Sequence, residues 1–466
     1  MKKIFDIQKI EDSHLFYLVE QESDIEKLEF LDLSTKVLEN IKKQLKKEEN
    51  KMNVYFLGNE HFESIFVYTI GTKNKKDIVT LLGKEFPKLP KNMTIFTNTS
   101  QNLKNLMKTS ILSRYHFDAY KSEKEVDEYH FLVEKDQEAI FDSTKKLIEH
   151  IVFARDLGTQ PSNVIYPESF VELAKQQDFK NTSIKVLDFN DIQEQKLGLL
   201  EAVGKGSEKK PRLLILEKIT NPENPTIALV GKGVTFDTGG IQVKPGNVMY
   251  EMKGDMCGGA NTLTLAKLLD EETLNVNIVY AIPLAENHIA NNAYKPSDIF
   301  TSYSGKTVDI IHTDAEGRLI LADAISYVSK NYKLEKIITM ATLTGACMVA
   351  LGFRYAGIMG DDEELINKFL DYSQTHFEKY NRLPFDEYMV EKTKSEVADL
   401  QNLTKEALAG SSMAGAFLSN FRMNDEKYTH IDIAGVALNS YEAHGYANRG
   451  MTGFGVESIA DIVKGM

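Results

Sequence analysis

Short apolar runs alternate with lysine-rich amphipathic stretches over residues 1–135. Apolar runs rich in branched and aromatic residues predict strands, and apolar positions three to four apart predict helices. The predicted strands are 54–57, 64–68 and 94–96, and the predicted helices are 34–47 and 76–86. The pattern predicts a small α/β domain, and its sequence shows no nucleophile, metal cluster or phosphate-binding loop.

A broad apolar face runs through residues 137–157. It is formed by Ile140, Phe141, Leu147, Ile148, Ile151 and Val152. The spacing predicts one long amphipathic helix. Gly158 and Pro161 follow it and are typical of a helix stop. We therefore expect a connecting helix over 136–158.

Beyond this helix, buried-looking apolar runs alternate with helical segments. The predicted strands are 184–187, 212–216, 227–230, 276–279 and 337–340. This alternation favours a mostly parallel sheet covered by helices. The predicted fold class is α/β, with a small N-terminal α/β domain (1–135) joined by the long helix to a C-terminal α/β domain (159–466).

Composition narrows the class of protein. A chain of 466 residues that is 42% hydrophobic and 26% charged is typical of a globular protein with a sizeable core. The net charge of −13 disfavours binding to nucleic acid or anionic membranes. The sequence shows no apolar run near the ~20 residues that span a bilayer, and Asp6 comes too early for a signal-peptide core. Two cysteines do not resemble a secreted disulfide framework, so we expect a cytoplasmic protein.

A first cluster of charged residues follows the predicted strand 227–230. It contains Lys232, Asp237, Lys244 and Asp255. Open α/β sheets place their sites beyond the carboxyl ends of strands. The Gly-Lys-Gly segment could be mistaken for a nucleotide loop, but it lacks the order of a phosphate-binding motif.

A second cluster contains Asp314, Glu316 and Arg318. In an extended segment Asp314 and Glu316 would share a face, and Arg318 would open a helix. An isolated Asp-x-Glu is usually a solvated turn, so its value lies in combination with the first cluster. Four packed carboxylates would raise one another's pKa. Two divalent cations, roughly 3.5–4 Å apart, would remove this conflict and could bind a hydroxide and a scissile carbonyl.

Segments 231–240, 252–258 and 313–319 closely resemble motifs of the leucyl aminopeptidase family, the cytosol aminopeptidases. The resemblance spans roughly residues 150 to 466 and implies two divalent metal ions per subunit, Mn²⁺ or Zn²⁺. It assigns the ligands as follows: Asp237 and Glu316 bridge the metals, Asp314 completes one site, and Lys232 and Asp255 complete the other.

The same resemblance implies that Lys244 and Arg318 are catalytic residues that do not bind metal. Lys244 can donate to the oxygen that becomes negative when a metal-bridging hydroxide attacks. Arg318 is always charged and cannot act as a base, but it can hold a bicarbonate or similar anion that shuttles the proton. The pocket for the first side chain is expected to involve Met252, Thr342, Leu343 and Gly345.

The implied activity is a metal-dependent aminopeptidase that removes leucine or other apolar residues from peptide N-termini. Dipeptides such as Cys-Gly are further expected substrates. An apolar wall distinguishes one methylene by only ~1–3 kcal/mol, so the preference should be broad. The resemblance also implies a homohexamer. The alternative is a catalytically silent scaffold or DNA-binding regulator, but retention of all the site residues and the negative charge argue against it.

Several positions depart from the family pattern. His312 stands where the family usually has Asn, and we favour packing beside the site over metal ligation. The segment after Asn287 lacks Pro-Gly, Leu438 replaces a common Trp, and 449–455 lacks Arg-Pro. These changes leave the substrate preference open. Cys257 could be a nucleophile, but without an activating base it fits better as a small buried hydrophobe.

Overall fold

The structure is a computed structural model that describes residues 1–5, 14–26, 28, 33–47, 50–56, 62–70, 78–124, 128–406, 408–440 and 443–466. It separates into two compact units. The first contains Met1–Glu149 with Tyr441–Arg449, and the second contains His150–Ser440 with Gly450–Met466. The predicted boundaries lay at the ends of the connecting helix, whereas the compact units divide within that helix.

A six-stranded sheet forms the first unit. Its strands are β1 (Lys2–Ile4), β2 (His14–Val19), β3 (Lys51–Phe56), β4 (Ser64–Thr69), β5 (Met93–Phe96) and β6 (Tyr129–Leu132). Their order is β1-β6-β5-β2-β4-β3, and every neighbouring pair is parallel except β3 with β4. β2 is almost wholly buried, as expected for a central strand of a parallel sheet.

Helices of the first unit are α1 (Glu22–Glu26), α2 (Thr35–Lys46), α3 (Ile78–Glu85) and α4 (Ser100–Leu112). The predicted strands and helices of this region are therefore found, although Leu57 and residues 76–77 lie outside the described residues. The returning segment 443–449 belongs to this unit. Gly445 packs so closely on Gly83 that a Cβ on Gly83 would lie 1.9 Å from the Gly445 oxygen, and the Asn448 side chain donates to the Tyr115 carbonyl at 3.1 Å.

The long helix α5 spans Glu138–Thr159 and agrees with the predicted helix to within two residues at its end. Gly158 lies inside it rather than beyond it. The other helices of the second unit are α6 (Pro167–Lys175), α7 (Phe189–Glu194), α8 (Gly198–Gly204), α9 (Cys257–Leu269), α10 (Gly317–Asn331), α11 (Gly345–Leu351), α12 (Glu363–Thr375), α13 (Glu387–Lys392), α14 (Gly410–Ser419) and α15 (Val456–Lys464).

A nine-stranded sheet forms the centre of the second unit. Its strands are β7 (Ser183–Leu187), β8 (Arg212–Lys218), β9 (Thr226–Gly231), β10 (Gly233–Asp237), β11 (Asn277–Asn287), β14 (Lys336–Ala341), β15 (Tyr355–Gly360), β16 (Lys379–Arg382) and β18 (Lys427–Asp432). The order is β16-β15-β18-β14-β9-β11-β8-β7, with β10 also paired to β11. The smaller strands are β12 (Ile299–Thr301), β13 (Thr307–Asp309), β17 (Leu400–Gln401), β19 (Leu438–Asn439) and β20 (Gly450–Met451).

Parallel pairing dominates the middle of this sheet. Whereas β15 is antiparallel to β18 and β8 is antiparallel to β11, the strands β18, β14, β9 and β11 run parallel to one another, and β10 is parallel to β11. Their carboxyl ends therefore meet at one edge, with helices such as α9 and α10 covering the apolar strands. This architecture confirms the predicted α/β class. Within the described ranges, no helix is both long enough and apolar enough to cross a membrane.

Candidate active site

Side chains from five parts of the chain gather at the carboxyl edge of the sheet. Lys232 follows β9, Asp237 ends β10, Asn287 ends β11, Thr342 follows β14, and Asp432 ends β18. Because these strands are parallel, their ends bring together residues that are far apart in sequence. The predicted placement of Lys232 beyond a strand end is found.

Three buried carboxylates form the centre of the cluster. One oxygen from each of Asp237, Asp255 and Glu316 lies within 4.8 Å of the others. The backbone N–H of Gly239 and the side-chain amide of Asn287 both donate to Oδ1 of Asp237 at 2.8 Å. Asp237 is thus held in place by a turn that follows it and by the neighbouring strand.

Lys232 lies between two of these carboxylates. Its Nζ is 2.8 Å from Oδ1 of Asp255 and 2.9 Å from Oε1 of Glu316, and it donates to the Thr342 carbonyl at 2.9 Å. Only 3% of its side chain is exposed, so the charge depends on these partners rather than on water. Gly317 makes room for it, because a Cβ there would lie 2.7 Å from Nζ.

Lys244 pairs with the other side of the cluster. Its Nζ is 2.7 Å from Oδ2 of Asp237 and 2.6 Å from Oδ1 of Asp314. Asp314 is more exposed than the three central carboxylates and lies outside their group. The structure therefore brings together all five predicted ligands and Lys244, but it places Asp314 at the rim.

Burial and the neighbouring charges shift the pKa values of the three central acids. Burial, then the charges of Glu316 and Asp255, raise the pKa of Asp237 well above its usual range. Burial likewise raises the pKa of Asp255 to about 6, against the attraction of Lys232. Burial opposes ionisation of Glu316 too, but the charges of Lys232 and Lys244 outweigh it, so the pKa of Glu316 is lowered.

The lysines respond in the opposite sense. Burial alone would lower the pKa of Lys232 and of Lys244, but attraction to the surrounding carboxylates outweighs it and raises both. In this state both lysines are ammonium ions that compensate the acids. The predicted repulsion among packed carboxylates is therefore present in the cluster, and these two lysines partly relieve it.

The donor set fits divalent cations. Among the described residues, Oδ2 of Asp255 and Oε2 of Glu316 are buried oxygens without a hydrogen-bond partner. Such oxygens cost free energy unless something binds them, and carboxylates are ligands suited to Mn²⁺ and similar ions. Asp237, Asp255, Glu316 and Asp314 are the residues that would hold the ions, together with Lys232 once its amine loses a proton.

Arg318 lies in the first turn of α10 and is buried. Its Nη1 donates to the Asn402 carbonyl at 2.8 Å, while Nε has no hydrogen-bond partner within the described part of the chain. Burial lowers its pKa to about 10, which still leaves it charged at neutral pH. A buried cation with an unused N–H can bind an anion, as the predicted bicarbonate site requires.

The segment that carries Asp314 and Glu316 is not extended, so that part of the prediction was wrong. Residues 313–314 form a turn, and Glu316 has helical angles of φ −77° and ψ −37° as it starts α10. The helix N-terminus determines the direction of Glu316 instead of strand alternation. His312 stabilises the turn, because its Nδ1 accepts from the Asp314 N–H at 3.0 Å.

The predicted pocket residues lie beside the cluster. Thr342 donates its hydroxyl to Oδ1 of Asp255 at 2.8 Å, and the Leu343 N–H donates to Asp432 at 3.2 Å. Gly345 begins α11. Met252 is part of the 3₁₀-helix Gly246–Gly254, and its carbonyl accepts from the Asp255 N–H at 3.2 Å. Their contact with a substrate side chain stays a prediction.

Sequence reasoning missed two residues that support the site. The side-chain amide of Asn287 donates to Asp237 and, at 3.0 Å, to the Thr313 carbonyl, so it joins the two charged segments. Asp432 accepts from the hydroxyls of Thr344 and Ser411 as well as from Leu343. The roles of both residues become apparent only once the strands are paired.

Cys257 is a buried residue at the start of α9. Burial raises the pKa of its thiol to about 12, and its Sγ lies 3.4 Å from Sδ of Met451. A neutral thiol packed on a thioether is a poor nucleophile. The interpretation as a small buried hydrophobe agrees with this environment.

Comparison with known proteins was made by sequence and by structure. A sequence profile described as "Cytosol aminopeptidase family, catalytic domain" matches residues 152–460. A "Probable cytosol aminopeptidase" of Wolbachia pipientis is 38% identical over 373 residues, which cover 77% of this chain and 74% of that protein. One of the same description from Cenarchaeum symbiosum is 40% identical over 361 residues, covering 76% and 74%.

Among solved structures, the bottromycin maturation enzyme BotP in complex with Mn has a TM-score of 0.84 with this chain. The match covers 97% of this chain and 99% of BotP, at 23% sequence identity. At that identity the likeness concerns the fold. It supports the α/β architecture over nearly the whole length of the chain.

Proposed function

The chain belongs to the cytosol aminopeptidase family and is a metal-dependent aminopeptidase by that membership; from this premise we propose that it uses two divalent cations to remove leucine or other apolar residues from peptide N-termini. The observation that carries the proposal is the buried trio Asp237, Asp255 and Glu316, in which one oxygen of each residue lies within 4.8 Å of the others. Two oxygens of the trio, Oδ2 of Asp255 and Oε2 of Glu316, have no hydrogen-bond partner among the described residues.

Each charged residue has a role in this proposal. Asp237 and Glu316 would hold both cations, Asp314 would complete one site, and Lys232 and Asp255 would complete the other. When bound, the cations supply an acidified water and polarise the scissile carbonyl. Mn²⁺ suits the carboxylate-rich set, and Zn²⁺ is the other candidate.

Lys244 and Arg318 act on the substrate rather than as ligands. The Lys244 ammonium is oriented by Asp237 and Asp314, where it can donate to the oxygen that gains charge in the transition state. Arg318 would hold bicarbonate or a similar anion through its Nε–H, which has no partner among the described residues. Because the permanently charged guanidinium cannot accept a proton, such an anion would supply the group that carries the proton from the attacking water to the leaving amine.

Selection of the substrate follows from the edge of the site. Met252, Thr342, Leu343 and Gly345 contact the first side chain and favour apolar residues broadly. Dipeptides such as Cys-Gly fit the same requirement for a free N-terminus. We propose further that the enzyme acts in the cytoplasm as a homohexamer, and light scattering of the active enzyme tests the assembly.

The direct test is release of p-nitroaniline from Leu-p-nitroanilide by metal-stripped protein with added Mn²⁺ or Zn²⁺. N-acetyl-Leu-p-nitroanilide, which lacks the free amine, should be stable. Asp237→Asn is the matched variant, because it keeps the size of the side chain and removes its charge. Equal activity with and without added metal, or equal activity of Asp237→Asn and the parent, would contradict the two-cation proposal. Absence of activity in the parent with and without metal would favour the scaffold alternative.

A further inference from the structure

Asn402 lies directly after β17, far in sequence from the charged residues. β17 runs parallel to β13, with Asp309 opposite Gln401. The Asn402 N–H continues this pairing by donating to the Asp309 carbonyl at 3.0 Å. The residue is fully buried, so its polar side chain requires partners within the protein.

The side-chain amide of Asn402 finds those partners in the loop that leads to Asp314 and Glu316. Its Oδ1 accepts from the N–H groups of Ile311 at 2.8 Å and His312 at 3.2 Å. Its Nδ2 donates to the carbonyl of His312 at 2.7 Å and, more weakly, to that of Ala315 at 3.4 Å. The side-chain amide of Asn402 therefore bonds to backbone groups of this loop in the way that a neighbouring strand would.

The backbone of the same residue holds Arg318. The Asn402 carbonyl accepts from Nη1 of Arg318 at 2.8 Å, across 84 positions of sequence. A single buried residue thus contacts both the loop that presents two proposed metal ligands and the guanidinium proposed to hold an anion. Residues that orient metal ligands from behind typically affect metal affinity or activity by about 10–100-fold.

We propose that Asn402 is a positioning residue of the metal site, which fixes the loop 311–316 before any metal binds and sets Arg318 beside it. The inference rests on the proposed function. It goes beyond it by assigning the geometry of Asp314 and Glu316 to a side chain that touches neither substrate nor cation.

A matched control exists in the same unit. Asn277 is also buried; its Oδ1 accepts from the N–H groups of Thr220 and Asn221, and its Nδ2 donates to the carbonyls of Asn221 and Asn224. It starts β11, whereas Asn287 at the other end of this eleven-residue strand contacts Asp237. At about 3.3 Å per residue, the two ends lie on the order of 30 Å apart.

The experiment compares Asn402→Ala, Asn402→Asp and Asn277→Ala with the parent. Mn²⁺ affinity is measured by calorimetry on stripped protein, and hydrogen exchange of the peptide covering 311–316 is measured without metal. Asn402→Ala should bind Mn²⁺ about 10–100-fold more weakly and exchange faster in that peptide. Asn277→Ala should leave Mn²⁺ affinity and the 311–316 exchange unchanged, although its stability should fall similarly.

Asn402→Asp separates positioning from charge and also serves if the alanine variant does not fold. It keeps the shape and both acceptor contacts but replaces the donors to His312 and Ala315. An added negative charge by itself should strengthen cation binding, whereas displacement of the loop 311–316 should weaken it. We expect Asn402→Asp to bind Mn²⁺ more weakly than the parent. Parent-like Mn²⁺ affinity and exchange in folded Asn402 variants, or an equal loss in Asn277→Ala, would overturn the inference. A parent that binds no Mn²⁺ would instead overturn the proposed function.

Discussion

Nζ of Lys232 lies 2.9 Å from the carbonyl oxygen of Thr342, 110 positions later in the chain. The contact connects a proposed metal ligand, Lys232, to Thr342, a proposed residue of the substrate pocket. Thr342 also donates to Asp255. A movement of Lys232 on metal binding should therefore also displace Thr342, which is a proposed pocket residue. Metal loading and substrate binding are therefore expected to be coupled.

Lys232→Arg should lose one metal ion selectively. An amine can bind a cation only after it loses a proton, which lysine can do and arginine cannot. Mn²⁺ stoichiometry and affinity measured by calorimetry should fall in the variant, and the parent's affinity should weaken as pH falls. Equal affinities and equal pH slopes in the two proteins would leave Lys232 as a structural counter-ion.

Gly317→Ala tests the space that Lys232 occupies. A Cβ at Gly317 would lie 2.5 Å from Cε and 2.7 Å from Nζ of Lys232, so the lysine must move. Alanine is the better helix former by about 1 kcal/mol, and a marked loss of stability is not expected. Mn²⁺ affinity should nevertheless fall by about tenfold.

Gly345→Ala is the control for that change. Gly345 is also the first residue of a helix, but a Cβ there would meet nothing within 4 Å. Its Mn²⁺ affinity should match that of the parent, as measured by the same titration. Parent-like affinity in Gly317→Ala would show that Lys232 can be displaced without cost to the metal site.

Lys244→Ala should retain both metals and lose turnover. The ammonium contacts Asp237 and Asp314 in the resting protein, but its proposed donation is needed in the transition state. Removal of one such donor typically lowers kcat by about 10²–10³-fold. Steady-state kinetics with metal analysis checks this, and a kcat within a few-fold of the parent would require another donor.

His312→Asn should preserve activity, whereas His312→Ala should lower it. The Nδ1 of His312 accepts from the Asp314 N–H, and an asparagine oxygen can accept from the N–H two residues on in the same way. This contact explains how histidine can stand where the family usually has asparagine. Retained kcat/KM in His312→Ala would show that the turn does not need the acceptor.

Glu378, which is not one of the proposed active-site residues, should make the free energy of unfolding depend on pH. It is buried and accepts from the Gly455 and Ser458 N–H groups. Burial, reinforced by the charge of Glu457, raises its pKa from the ordinary 4.5 to about 7. The folded protein therefore binds this proton more tightly than the unfolded chain does. The contribution of Glu378 to the free energy of unfolding consequently falls as pH rises from about 4.5 to 7, and it is constant above pH 7.

Glu378→Gln removes the titration. Urea unfolding at pH 5 and pH 8 should show a smaller loss of stability with rising pH in the variant than in the parent. Comparison of the two proteins isolates this carboxyl from the other acids. An unchanged difference between the two pH values would mean that Glu378 titrates normally in the folded state.

The central carboxylates could be predicted because their chemistry is local. Asp237, Asp255 and Glu316 each lie in a short glycine-rich motif, and acids at strand ends in an α/β pattern point to a shared edge. Asn287 and Asn402 could not be predicted from the sequence. A buried asparagine has no periodic signal, and its role depends on hydrogen bonds to segments that meet only after the sheet forms.

The missed strand β15 has a similar explanation. Its sequence contains Gly357 and Gly360, and glycine is depleted in strands. Gly360 has a φ of 145°, and a Cβ there would lie 2.0 Å from the Tyr428 oxygen. Close approach of the neighbouring strand, rather than local preference, determines the conformation.

The nine residues 441–449 have a consequence for synthesis of the protein. They belong to the first compact unit, although residues 150–440 of the second unit precede them in the chain. The N-terminal unit can begin to fold early, because its sheet strands all precede residue 133. The contacts of Gly83 and Tyr115 with Gly445 and Asn448 can form only after those later residues have been synthesised. Translation must therefore pass residue 449 before the first unit can be completed.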